Sequence, residues 1–145
     1  MDDFLDRLLA LWTVPLDDRA DPVAEFRAVY TDPVTVNGTP MSCADLVERA
    51  RAMQRTYADR RTEVVHRLAA DDRLAVAFRI RARHVGPLAT PLGTVPPTGR
   101  EVSIRVTDVL TLTDGRISDI WMIADDLALL HDLSAVRLTG EQGVP

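Results

Sequence analysis

The 145-residue chain has one cysteine, no basic excess and no long apolar run. With Cys43 alone, no intramolecular disulfide can form and no metal cluster can be built from thiolates; the residue reads as a small buried side chain. A net charge of −5 argues against a nucleic-acid binder, which would show a basic stripe or aromatic–basic interleaving. The arginines at 49–61 and 79–83 are the only basic clusters, and they read as solvated faces or dimer contacts. No apolar stretch is long enough to span a bilayer. The start, Met1-Asp2-Asp3-Phe4, is acidic where a signal peptide would be basic, so the expected compartment is the cytoplasm, away from membranes. No His-x-x-x-His or comparable spacing is present, so neither a metal nor another cofactor is expected. Repeats and low-complexity tracts are missing too.

What is present is periodic. Phe4, Leu5, Leu8, Leu9 and Trp12 recur at helical spacing up to Pro15. Asp21-Pro22 reads as an N-cap followed by a first-turn proline, with Val23, Phe26, Val29 and Tyr30 as the buried stripe of a second helix. A short strand at Val34–Val36 ends in an Asn37-Gly38 turn. Ser42 then caps a third helix, whose apolar face is Leu46, Ala50, Met53 and Tyr57. The remainder reads as sheet. Strands are predicted at Thr62–Ala69 and at Arg73–Val85, the latter with Leu74, Val76, Phe78, Ile80, Ala82 and His84 on one face. Half of residues Gly86–Gly99 are Gly or Pro, which predicts a structured loop, either a lid or a rigid crossover. Strands from Glu101 and Arg116 follow, then a closing helix over Asp125–Leu133, with Asp125 as its N-cap. Helices first and antiparallel strands after make an α+β fold in a single domain over 1–145, with a core of about 5–133 and a tail, 134–145, expected to be mobile.

One residue breaks the pattern. From Glu101 to Leu112 the chain alternates, with Val102, Ile104, Val106, Leu110 and Leu112 on one face, and Asp108 falls in that apolar row. A carboxylate there needs a partner, a raised pKa, or a cavity holding water or ligand. Asp114-Gly115 signals a two-residue hairpin. Closed by Thr113 and Arg116, that turn places Leu112 opposite Ile117, Leu110 opposite Asp119, Asp108 opposite Trp121 and Val106 opposite Ile123. A one-residue slip would reverse every one of these assignments.

Several short stretches carry a likeness. Tyr30-Thr31-Asp32-Pro33-Val34 follows a helix; Arg83-His84-Val85-Gly86 and Pro96-Pro97-Thr98-Gly99-Arg100 come next; then Thr107-Asp108-Val109-Leu110, Asp114-Gly115-Arg116-Ile117-Ser118-Asp119-Ile120-Trp121, Asp125 and Leu129-Leu130. In this order they resemble the SnoaL-like polyketide cyclase (ester cyclase) family of the nuclear transport factor 2-like superfamily. The resemblance implies a cone-shaped barrel, N-terminal helices packed on a curved, mostly antiparallel sheet, a deep apolar pocket and a homodimer formed through the sheets. It also implies functions from cofactor-free aldol cyclisation to isomerisation, epoxide hydrolysis or ligand binding alone. One departure stands out: relatives often read His-Trp-Asp, whereas this chain has Ile120-Trp121-Met122, so the aspartate after the tryptophan is missing.

The catalytic candidates are therefore Asp108, as base or as orienter of a base, and His84, as proton shuttle or partner in an Asp–His pair. The alternative for Asp108 is a structural carboxylate bonded by backbone amides or the Trp121 indole; for His84 it is a hydrogen-bonded core or rim residue. Trp121, Tyr30, Met53, Tyr57, Phe78 and Met122 are the expected pocket wall, or else plain core. The expected ligand is a hydrophobic, carbonyl-bearing small molecule. Two other readings stay open: a non-catalytic binder of the same fold, and an epoxide hydrolase-like enzyme.

Overall fold

A computed structural model describes residues 2–140. Four α-helices, α1 (Asp2–Thr13), α2 (Pro22–Val29), α3 (Cys43–Thr56) and α4 (Asp126–Asp132), accompany eight strands. The strands are β1 (Tyr30–Val36), β2 (Thr39–Met41), β3 (Tyr57–Ala70), β4 (Arg73–His84), β5 (Leu88–Thr90), β6 (Gly93–Val95), β7 (Glu101–Thr113) and β8 (Arg116–Ala124). The expected α+β architecture is present. Six strands form one curved sheet in the order β2-β1-β8-β7-β4-β3, antiparallel except where β1 runs parallel to β8. No described helix is long and apolar enough to cross a membrane.

Local chemistry sets the helix starts. The side chains of Asp21, Ser42 and Asp125 accept from the backbone N–H groups of Ala24, Asp45 and Ala128, each satisfying a donor that the first helical turn leaves open. The helix ends differ from expectation. Tyr30 and Tyr57 do not continue the helical stripes; each is the C-cap of its helix and the first residue of the next strand. Extended backbone at these two positions turns their rings from the helix surface into the space beneath the sheet, where both are buried. The third strand accordingly begins at Tyr57, five residues earlier than predicted.

The inner face of the sheet follows the alternation of the sequence. Leu74, Val76, Ile80, Ala82 and His84 of β4 are buried, as are Val102, Ile104, Val106 and Leu110 of β7. Their apolar side chains divide into two clusters. One joins Phe26, Val29, Tyr30, Val34, Val47 and Ala50 to Leu74, Val76, Leu110, Ile117 and Ile120. The other joins Tyr57, Ile80, Ala82, Val102, Ile104 and Val106 to Leu129 and Leu133 of the C-terminal segment. Phe78 packs against both.

The Gly86–Gly99 segment is not bare loop. It contains the hairpin β5–β6, a two-stranded sheet of its own, and Leu88 and Val95 pack onto the second cluster. The start of the expected mobile tail is tied down: Ala135 N–H donates to the Leu130 carbonyl, and Ser134 Oγ accepts from Arg100 at 2.9 Å. Residues 141–145 of that tail lie outside the described residues.

Gly86 locks α3 to the end of β4. Its N–H and that of Val85 both donate to the Thr56 carbonyl, at 3.0 and 2.8 Å, and Thr56 Oγ1 donates to the Pro87 carbonyl at 2.9 Å. A Cβ at Gly86 would stand 2.2 Å from the Arg55 carbonyl oxygen, a backbone atom with no rotamer to escape into. Gly86→Ala is expected to cost more than about 2 kcal/mol in urea denaturation. Gly115→Ala, where only a φ of +78° opposes the change, should cost about 1 kcal/mol. Equal stability of the Gly86→Ala and parent proteins would contradict this packing.

Candidate functional site

The β7–β8 hairpin closes as predicted at Thr113–Arg116 and Leu112–Ile117, and then departs. The next pair is Thr111–Asp119, so Ser118 is an extra, unpaired residue. Its hydroxyl donates to the Thr111 carbonyl at 3.3 Å and lies 2.7 Å from Thr113 Oγ1. A single inserted residue changes which side of the sheet each later side chain meets. Beyond the bulge Leu110 faces Ile120, Asp108 faces Met122, Thr107 faces Ile123 and Val106 faces Ala124. Trp121 pairs with Val109 on the outer face and is 56% exposed. The expected Asp108–Trp121 contact is thus replaced by Asp108–Met122, and Trp121 is no part of the interior wall.

Asp108 lies in the cross-strand row Val76–Asp108–Met122. That row falls on the seam between the two clusters: along β7, Leu110 belongs to the first and Val106 to the second. On β8, Ile120 belongs to the first and Ala124 packs on the second; on α3, Ala50 belongs to the first and Met53 packs on the second. The residues along the seam are only partly covered. Asp108, Phe78 and Met53 are half-buried, and Met122 is 38% exposed although it faces inward. Of the expected wall residues, Met122 faces Asp108 across the β7–β8 pair, Phe78 packs against both clusters, Met53 against the second, and Tyr57 lies deeper in the second cluster.

Among the described residues no group satisfies the Asp108 carboxylate fully. Oδ1 is buried without a hydrogen-bond partner. Burial, the sole cause, pushes its pKa up to about 6. The structural alternative, a carboxylate held by backbone amides or an indole, does not describe Oδ1. The buried Tyr30 phenol is near enough to feel Asp108: burial foremost raises its pKa, the Asp108 charge adds to this, and the Trp12 bond opposes it. Trp12 Nε1–H donates to the Tyr30 hydroxyl oxygen at 2.9 Å. With that oxygen accepting from the indole, the phenolic proton remains available to a neighbour.

His84 is fully buried at the far end of β4. Its Nδ1 accepts from the Thr98 N–H at 3.3 Å and lies 2.9 Å from Thr98 Oγ1, which itself accepts from the Arg100 N–H. A ring nitrogen that accepts carries no proton, so the imidazole hydrogen belongs on Nε2. Nε2 is buried with no partner among the described residues, and the Tyr57 ring packs nearby, centroids 6.2 Å apart. The expected Asp–His pair does not form. His84 is eight residues from Val76, the partner of Asp108, which is roughly 26 Å of extended strand.

Two contributors escaped the sequence reading. Trp12 looked like one more member of a helical stripe, and nothing in its spacing announces the bond to Tyr30. Asn37 read as a turn residue. It is one, with φ 49°, but its side-chain amide also grips the Met122 backbone, donating to the carbonyl at 3.1 Å and accepting from the N–H at 2.8 Å. Asn37 thereby fixes the residue facing Asp108. Asp125, read as a cap, is one, and it also bonds Arg105. Among the described residues no group of three or more His, Cys, Asp or Glu side chains could hold a metal ion.

The profile of the SnoaL-like polyketide cyclase family matches residues 4–133. No curated protein matches the chain. Among solved structures it is similar to TsrD from Streptomyces laurentii (19% identity, TM-score 0.78, covering 93% of this chain and 95% of that one). It is also similar to AclR from Streptomyces galilaeus (23% identity, TM-score 0.71, 97% and 91% covered). A SnoaL-like polyketide cyclase from Agrobacterium tumefaciens is a third (19% identity, TM-score 0.68, 90% and 97% covered). At these identities the likeness is one of fold, the nuclear transport factor 2-like cone expected from the sequence motifs.

The raised pKa of Asp108 has a stability consequence. In the unfolded chain the group has an ordinary carboxylate pKa, so the folded state holds the proton more tightly. Stability from this group is complete below about pH 4, where both states are protonated, and falls as pH rises through about 6. Asp108→Asn should therefore stabilise the fold at pH 8 by up to about 3 kcal/mol and give no gain below about pH 4. Denaturant midpoints of the two proteins across pH 3–8 test this, and a pH-independent difference would contradict it.

Proposed function

The chain belongs to the SnoaL-like polyketide cyclase family, and on that footing we propose that it binds a hydrophobic, carbonyl-bearing small molecule in the seam beside Asp108 and moves a proton α to the carbonyl without a cofactor. The observation that carries this reading is the carboxylate oxygen left without a partner between two apolar clusters, with a pKa of about 6. A base of that pKa is largely ionised at neutral pH, and it is more basic than an ordinary aspartate. Removing a proton from the α-carbon would leave an enolate, which needs a donor at its oxygen. The Tyr30 phenol, already accepting from Trp12, is the nearby donor. Met122, Met53 and Phe78 supply apolar surface for the rest of the ligand. His84 then acts as a fixed Nε2–H donor toward the interior at the other end of β4, which suits hydrogen bonding to a polar group better than shuttling protons.

Epoxide hydrolysis is less well supported. That chemistry calls for further carboxylate or guanidinium groups converging on the site, whereas burial alone accounts for the Asp108 shift. A binder without turnover uses the same seam, and one experiment separates the two. Bound to an aryl methyl ketone in heavy water, the protein should exchange the methyl hydrogens for deuterium, at a rate that rises with pH through about 6. Asp108→Asn should lower that rate by about a hundredfold or more while ketone binding persists. Binding with no exchange by the parent protein would identify a binder; exchange unaffected by Asp108→Asn would remove Asp108 from the chemistry.

The same reading includes a homodimer through the outer sheet face. Leu68, Val109, Trp121 and Ile123 are exposed there, Ile123 at 73%. Contiguous exposed apolar surface of this kind favours a protein partner. Ile123→Glu should convert a dimer to monomer in sedimentation velocity; a parent protein that sediments as a monomer would overturn this part of the proposal.

A further inference from the structure

The end of α1 faces an open cleft of about 460 Å³, bounded by Pro15–Asp17, the end of α3 and the start of β3. The volume suits a small organic molecule. Neither Asp108 nor Met122 lines it, so it is distinct from the seam. Three arginines, Arg51, Arg55 and Arg60, meet two aspartates there. Both aspartates are engaged: Asp17 with Arg51 at 3.6 Å, and Asp59 with Arg83 at 3.2 Å. Arg55 and Arg60 have no carboxylate partner among the described residues.

The backbone puts Arg60 there. Between Ala58 and Arg61 the β3–β4 register shifts, and Asp59 takes φ 55°. A bulge of this kind re-aims side chains. Asp59 reaches Arg83, while Arg60 turns beneath α1 and donates to the Trp12 carbonyl. Burial lowers the Arg60 pKa, and one carbonyl occupies one of five N–H donors. Gln54 holds the same end of α1, donating to the Trp12 and Val14 carbonyls at 3.3 and 3.1 Å and accepting from the Leu16 N–H at 3.1 Å. The cleft wall therefore has a support other than Arg60. Leu16 and Tyr57, both buried, supply apolar surface beside the guanidinium.

A guanidinium drawn partly out of water, with open donors and no countercharge, is stabilised by an anion. We propose that this cleft binds a small molecule carrying a carboxylate or phosphate on an apolar body, with Arg60 and Arg55 gripping the anion and Leu16 and Tyr57 flanking the body. The site is independent of the proton-transfer reading. Titration with benzoate and, separately, phenyl phosphate at constant ionic strength, followed by backbone amide shifts, tests it. Saturable shifts confined to residues 13–17 and 51–60 are expected, and the tighter of the two ligands identifies the head group. Arg55→Gln, at an exposed position, should weaken binding about tenfold, Arg60→Gln about a hundredfold, and Arg61→Gln, next to the bulge, should leave it unchanged. The proposal is overturned if neither anion gives saturable shifts at millimolar concentration. It is equally overturned if Arg55→Gln binds as tightly as the parent, a result that decides the matter even should Arg60→Gln fail to fold.

Discussion

The unpaired Ser118 governs the interior of this protein. A strand exposes alternate residues to opposite faces, so one inserted residue between Ile117 and Asp119 decides what every later side chain of β8 meets. Without it Trp121 would face Asp108 and its indole N–H could quench the carboxylate. With it the indole lies outside, and the residue facing Asp108 is a thioether that donates nothing. The bulge thus leaves Asp108 Oδ1 without a partner among the described residues, the feature on which the proposed proton transfer rests. The Asn37 side chain reinforces the arrangement from the β1–β2 turn by bonding both backbone groups of Met122.

Packing explains why the carboxylate is tolerated. A charge at the centre of either apolar cluster would be excluded or permanently protonated. At the seam between them, the inner-face residues are only half-covered, so desolvation is partial and the pKa rises to about 6 rather than far beyond. Phe78 packs against both clusters, Met53 packs against the second, and Met122, like Met53 unbranched and adaptable, faces Asp108.

Much of this was legible in the sequence, for identifiable reasons. Period-two alternation placed Asp108 and the β4 residues on the inner face, because burial enforces that pattern strongly. Asp21, Ser42 and Asp125 announced their helix starts because capping is local chemistry. Non-local events were not legible. The Ser118 bulge follows from hydrogen bonds to Thr111 and Thr113 that no periodicity encodes. The hand-over from helix to strand at Tyr30 and Tyr57 depends on tertiary burial of rings that fit a helical stripe equally well. The tautomer of His84 is set by Thr98, fourteen residues away across a hairpin.

Separating Asp108 from His84 alters what the site can be. As a pair, the imidazole would be the base and the carboxylate its orienter. Apart, each is set by its own surroundings: desolvation raises the pKa of Asp108, and the Thr98 N–H makes His84 Nδ1 an acceptor. On the proposed reading, an acceptor on β7 and a donor at the end of β4 call for a ligand with polarity at both ends and little between. On that proposed reading, a residue without charge at Met122 fits the ligand. A second carboxylate facing Asp108 across the β7–β8 pair would push one of the two to hold its proton and would place charge against the apolar part of the proposed ligand.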